Sequence, residues 1–366
     1  MKDFFVKIGK TVAAHKIVTI VVALALCCVV IFSCLGAFVF NRYSQGTVPT
    51  DKDLQTLKAN GQVYEHVVIF GVDGAGGYFD KMDTPGFDSV FKNPSMPSSV
   101  TYKGLSQYPT ISAQNWGSMI HGVRCQKHKL TNSIADTKKY TDTKYPSFFK
   151  VYAERHPEEM NALYSIVHWT PINYGIIEDM PQINKISVEE DLGRSMGDEN
   201  ATTEDSEAEE KELTSEEVDD LVAEKTIEVI NTQDPKIIFT HFDCVDSAGH
   251  GYGWGKPEYV HAMAKADECI AKIYQACVAK GWKDNTLFIC ISDHGHEDWG
   301  GHGSNNYNVR NVTFAVAGNK GNVISGEPGH VVTQDMASVV LYALGEKQPD
   351  SWESKVPKNM FSSLKK

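Results

Sequence analysis

The sequence is short of three things: cationic charge, paired cysteines and nucleotide-loop spacing. Its 366 residues carry 35 Lys and Arg against 47 Asp and Glu, a net charge of −12. A chain this acidic presents no broad basic face, which argues against nucleic acid as a partner. Of the 8 cysteines, Cys27, Cys28 and Cys34 lie in an apolar N-terminal stretch. Cys125, Cys244, Cys269, Cys277 and Cys290 remain, an odd set with no CxxC pair, so neither a disulfide framework nor a zinc–cysteine knuckle is expected. The glycine-rich segment Asp73-Gly74-Ala75-Gly76-Gly77 has neither GxGxxG nor Walker spacing, so it is no nucleotide cradle. Internal repeats are also missing.

Charge is absent altogether from Ile17 to Phe40. That stretch is long enough to span a bilayer as a helix. It is also longer than the apolar core of a signal peptide and ends at no clear small-x-small site, which favours an uncleaved anchor over a cleaved leader. Lys2, Lys7, Lys10 and Lys16 precede it and Arg42 follows. The positive-inside bias puts residues 1–16 in the cytoplasm and the remainder outside. Residues 41–61 are mostly polar and are expected to form a stalk. Residues 62–366 suffice for one large α/β domain. Within it, residues 186–213 form an acidic block read as a solvated, mobile insertion.

What the domain does have is three apolar runs that each lead to an aspartate. Val67 to Val72 reaches Asp73, Ile237 to Phe242 leads to the segment with Asp246, and Leu287 to Ser292 reaches Asp293. Continuous apolar runs read as strands buried on both faces. Ala162 to Val167 is a further short strand, and Pro85 to Ser99 is expected to be loop. Thr214-Ser215-Glu216-Glu217 is a capping box ahead of a helix with Val218, Leu221, Val222 and Val229 on one face. Pro257 suits the first turn of a second amphipathic helix, and Ala113 to His121 suggests a third. Alternating strands and helices predict an α/β fold, a mainly parallel central sheet flanked by helices.

In such sheets the site lies beyond the carboxyl ends of the strands. Two of the three acids have a histidine close behind: Asp246 with His250, and Asp293 with His294. Carboxylate mixed with imidazole suits divalent cations, zinc among them. Gly249 is expected to bend His250 back to the sheet edge and Gly295 to permit a sharp turn. Read alone, Asp246 and His250 are equally a turn and a surface histidine. His302, between glycines in Trp299-Gly300-Gly301-His302-Gly303, is preferred to His296 as a further ligand. Pro109-Thr110-Ile111-Ser112 supplies hydroxyls that a cation would activate.

From Tyr64 to Gly345 the chain resembles the alkaline phosphatase superfamily, most closely its type I phosphodiesterase/nucleotide pyrophosphatase branch. The resemblance rests on Val72-Asp73-Gly74, the Pro109–Gly122 stretch, Asp246-Ser247-Ala248-Gly249-His250, Ser292-Asp293-His294-Gly295 and Gly301-His302-Gly303, in the family's order. It implies an alkaline-phosphatase-like fold and two divalent metal ions, zinc by preference. Asp246, His250 and His302 would hold one, and Asp73, Ser112, Asp293 and His294 the other. Ser112 would be the nucleophile, passing through a phosphoserine, and Asn132 would orient the phosphate. The family's usual Phe-Pro after the nucleophile is Ala113-Gln114 here, which removes an aromatic platform for a base. The implied activity is hydrolysis of a small phosphate ester by an outward-facing, membrane-anchored phosphodiesterase. A phosphomonoesterase, with Arg124 as the grip on a dianion, and a catalytically silent binding protein are the alternatives.

Overall fold

The computed structural model describes residues 18–31, 43–142, 144–191 and 213–364. Two compact units divide at Tyr43 and Ser44. In the first, residues 18–31 are helical. Among the described residues no helix is long and apolar enough to cross a membrane. Most of the expected acidic insertion, residues 192–212, lies outside the described residues, as do Ile17 and residues 32–40.

In the second unit the sheet order is β2-β7-β6-β1-β5-β3-β4. The strands are β1 His66–Val72, β2 Ser98–Leu105, β3 Leu163–Val167, β4 Ile183–Ser187, β5 Ile237–Phe242, β6 Thr286–Ile291 and β7 Asn311–Ala317. The five strands from β6 to β4 run parallel, and β7 pairs antiparallel with both β6 and β2. β1, β3, β5 and β6 are buried along their whole length, as their apolar runs require.

Alternation along β1 feeds two cores. Val67 and Ile69 pack on one side with α3 (Ser112–His121) and α7 (Asp335–Ala343). Val68, Phe70 and Val72 pack on the other with α2 (Pro85–Phe91), α4 (Ser215–Thr232), α5 (Cys244–Tyr252) and α6 (Pro257–Ala279). The sheet is thus covered on both faces. α4 begins with the expected capping box: Thr214 N–H donates to Glu217 (2.8 Å) and Glu217 N–H to Thr214 Oγ1 (3.2 Å).

Two stretches differ from expectation. Within 85–99, the Pro- and Ser-rich segment expected as loop, α2 forms and β2 begins. Phe87, Val90 and Phe91 recur at helical spacing and are buried, while the cap comes from α6: Gly86 and Phe87 N–H both donate to the Asp267 carboxylate at 2.7 Å. Within the segment expected as a stalk, α1 (Asp51–Ala59) forms behind a Thr50–Asp53 capping box and buries Leu54 and Leu57, and Thr47 exchanges backbone bonds with Val356.

Candidate active site

The carboxyl ends of β1, β5 and β6 lie side by side, so the turns that follow them share one edge. After β6, Ser292 Oγ donates to the His294 carbonyl (2.8 Å), and His294 N–H donates to Asp293 Oδ1 (2.8 Å). After β1, Gly74 N–H donates to the same Asp293 oxygen (3.1 Å), locking the two turns together. Gly74 has φ +67, and a Cβ there would meet the Asp246 Cα and His296 Nε2 at 2.7 Å, so glycine is required on both counts.

Asp246 and His250 come together differently from the expected bend. They sit one turn apart on α5, with His250 Nε2 3.3 Å from Asp246 Oδ2. Gly249 instead makes room: a Cβ there would lie 2.4 Å from the His296 ring. Gly295 likewise is needed for close approach, since a Cβ would meet the Asn308 carbonyl oxygen at 2.1 Å.

All the predicted residues converge. His302 Nε2 is 3.1 Å from His250 Nε2, and His302 stacks on His294 at 3.9 Å between ring centroids. His294 Nε2 is 3.1 Å from Asp293 Oδ2 and 3.6 Å from Asp73 Oδ1. Ser112, the first residue of α3, places Oγ 3.2 Å from His294 Nε2. Thr110, the competing hydroxyl, donates instead to the Ser304 carbonyl at 2.8 Å. Asn132 Oδ1 accepts from Ala113 N–H at 3.0 Å, so it reaches the start of α3 beside Ser112. His296 also joins, with Nε2 2.9 Å from Asp246 Oδ1.

Two groups of candidate metal ligands match the sequence reading, Asp73 with Asp293 and His294, and Asp246 with His250 and His302. Asp246 with His294 and His296, and Asp73 with His241 and Asp243, form two more. Asp73 Oδ1 and Asp293 Oδ2 are buried without any hydrogen-bond partner. Unpartnered buried carboxylate oxygens beside imidazoles are a donor set that a divalent cation would satisfy.

The electrostatics fit that donor set. Burial and the Asp73 and Asp246 charges push the Asp293 carboxyl well up. Burial also opposes ionisation of Asp246, but hydrogen bonds from His250 and His296 outweigh it and hold its carboxyl well below the usual range. Burial and the neighbouring His302 push the His294 imidazole down to about 3, leaving it neutral, the form in which histidine is a ligand.

Sequence reasoning missed the supporting residues. The buried Asp219 of α4 accepts from the Asp243 and Cys244 N–H groups, both at 3.0 Å, and so caps α5. His168, after β3, bonds the same carboxylate through Nδ1 at 2.7 Å. Trp116 Nε1–H and His241 Nε2 reach Asp73 Oδ2 at 2.8 and 3.1 Å. A histidine inside an otherwise apolar strand was the available signal for His241, while Trp116 had none beyond its place one turn after Ser112.

Acidic and imidazole side chains are gathered at the carboxyl edge of a mixed α/β sheet, with a serine at a helix start beside them, an alkaline-phosphatase-like arrangement. The type I phosphodiesterase / nucleotide pyrophosphatase family matches residues 67–347, and the chain belongs to that family. Curated relatives include GPI ethanolamine phosphate transferase 1 of Gibberella zeae, 27% identical over 169 residues, which covers 40% of this chain and 17% of that protein. The transferase of the same name from Emericella nidulans is 35% identical over 71 residues, 19% of this chain and 8% of that one. The matches thus span a small part of these relatives' length. Among solved structures, an inactive variant of murine ectonucleotide pyrophosphatase/phosphodiesterase 5 in complex with AMP has TM-score 0.55 at 10% identity, covering 81% of this chain and 99% of that one. A sulfatase from Pseudoalteromonas sp. has TM-score 0.54 at 15% identity, covering 84% and 76%. These structural likenesses are likenesses of fold.

Proposed function

We propose that the chain is a membrane-anchored, outward-facing phosphodiesterase that uses two divalent cations, zinc by donor chemistry, and a phosphoserine at Ser112. The observation that carries this reading is the Ser112 hydroxyl lying 3.2 Å from His294 Nε2, the imidazole that also faces two buried carboxylate oxygens without a hydrogen-bond partner. Asp246, His250 and His302 would hold one ion, and Asp73, Ser112, Asp293 and His294 the other. When bound, such ions lower the pKa of a hydroxyl and neutralise charge on phosphoryl oxygens. Ser112 Oγ attacks phosphorus as the bond to the leaving oxygen breaks, and the proton that the serine gives up is matched by the one that converts the leaving alkoxide into the alcohol. Asn132, whose Oδ1 accepts from Ala113 N–H, would orient the phosphoryl group through its amide. Water then attacks the phosphoserine, releasing a phosphomonoester and restoring the serine hydroxyl.

Arg124 favours a diester over a monoester. Its guanidinium is held by Glu353 at 3.1 Å through Nε and 2.9 Å through Nη2, away from a role as the grip on a dianion. The purified protein is expected to turn over a bis-aryl phosphodiester faster than an aryl phosphomonoester. Turnover of neither would leave a silent binding protein. The relatives' names support a second reading, in which the group on Ser112, ethanolamine phosphate, passes to an acceptor hydroxyl instead of water. Partition of product between water and added alcohol separates the two.

The anchor rests on the uncharged 17–40 run and its lysine-rich flank. Protease added to intact cells should digest the catalytic domain. Protection until lysis would reverse the orientation.

A further inference from the structure

Asp73 uses its two carboxylate oxygens unequally. Oδ2 receives the Trp116 indole N–H at 2.8 Å and lies 3.1 Å from His241 Nε2. Oδ1 is buried with no hydrogen-bond partner and faces His294. A carboxylate has no proton to give, so Nε2 is the protonated nitrogen of His241, and that ring is a donor to Oδ2. Both oxygens of a carboxylate are chemically alike, and rotation about the Cβ–Cγ bond would exchange them. Two donors fixed on the same oxygen remove that freedom.

The donors are themselves fixed. Both side chains are fully buried. Their rings meet edge to face at 5.0 Å and 76°. Trp116 also packs edge-on against Phe239 of β5 at 5.7 Å. β1 yields to the indole: a Cβ at Gly71 would lie 2.8 Å from Trp116 Cη2, and Gly71 pairs in register with His241. A helix and two strands have therefore been shaped around this contact. Trp116 stands four residues after Ser112 on α3, so one helical turn separates the nucleophilic hydroxyl from the indole that grips Asp73.

We infer that Trp116 and His241 are positioning residues that turn Asp73 Oδ1 toward the cation shared with Asp293 and His294, and that Trp116 registers Ser112 to that same ion. This rests on the two-ion reading above. Partners of this kind around a metal ligand typically govern affinity by about 10- to 100-fold.

The test is zinc stoichiometry and zinc release to a competing chelator, measured on the full-length protein. The wild type should hold two ions. Trp116→Phe keeps the ring and loses the N–H. His241→Leu loses the donor, and His241→Gln keeps one. The Phe and Leu variants should give up one ion about 10- to 100-fold more readily while the other is held as in the wild type. His241→Gln should recover much of the loss. On a phosphodiester, kcat should fall more than KM rises. Unchanged release of both ions in the Phe and Leu variants would overturn the assignment, as would a loss that Gln does not restore. A wild type that binds no ion would overturn the two-ion reading itself. If Trp116→Phe fails to fold, the His241 pair decides alone.

Discussion

At the scale of the residue, the site turns on where single hydroxyls and imidazoles point. Thr110 and Ser112 are two positions apart, yet Thr110 spends its proton on the Ser304 carbonyl while Ser112 lies beside His294. Ser112→Ala should keep its fold, because it removes one oxygen from a small side chain at a helix start. It should lose the acid-stable phosphoenzyme and slow turnover by roughly a thousandfold or more. Thr110→Ala should retain most activity. Peptide mapping of the phosphoenzyme trapped in acid checks this, and phosphate on Thr110 would reverse the roles.

His168 carries a second prediction at this scale. Burial opposes its charge, but hydrogen bonds to Asp219 and Glu189 outweigh burial and raise its pKa to about 10. The unfolded chain titrates near about 6.5. Because the folded value is the higher one, the protonated ring stabilises the fold fully below about pH 6.5. That contribution drains away as pH rises toward 10. The denaturant midpoint of the wild type should therefore fall across that window, and His168→Gln should be weaker at neutral pH and flatter across it. Parallel pH profiles for the two would contradict the assignment.

At the scale of the element, α5 is a short helix asked to do two things. It presents Asp246 and His250 on one face, and it lets His296 pass against its backbone at Gly249. Alanine at 249 would gain helix propensity, by up to about 1 kcal/mol. Its Cβ would nevertheless stand 2.4 Å from the His296 ring. Gly249→Ala should thus be destabilised by about 1–3 kcal/mol, the cost of overpacking, and should lose activity as His296 leaves Asp246. Equilibrium unfolding and turnover measured together check this, and a more stable, fully active variant would refute it. The helix start depends equally on a distant residue, since Asp219 of α4 caps it.

At the scale of the whole molecule, three strand ends bring Asp73, Asp246 and Asp293 into one cluster. On the two-ion proposal, ions bound there would favour the folded state by mass action, by about 2.7 kcal/mol for each at a free concentration a hundred times its dissociation constant. Chelation should lower the melting temperature by several degrees, and added zinc should restore it. A melting curve indifferent to chelator would argue that the carboxylates are neutralised by protons alone. The family match from 67 to 347 covers this whole arrangement, from the first strand past the last core helix.

The sequence by itself determined the parts whose signal is local. Mainly apolar runs located β1, β3, β5 and β6, because a strand buried on both faces leaves little room for polar side chains without partners. The acids at or just beyond their ends, and the order of Asp, His and Ser around them, picked out side chains that the fold gathers at one sheet edge. Tertiary structure decided what depends on distant partners. α2 reads as loop until Asp267 supplies its cap from 180 residues away. The segment 51–59 reads as polar until Leu54 and Leu57 find the core. His241 and Trp116 gain a role only when both reach the same oxygen of Asp73. Hydrogen bonds formed across a sheet leave no periodicity in the chain, so only packing could choose which oxygen of Asp73 each donor would hold and which would face the site.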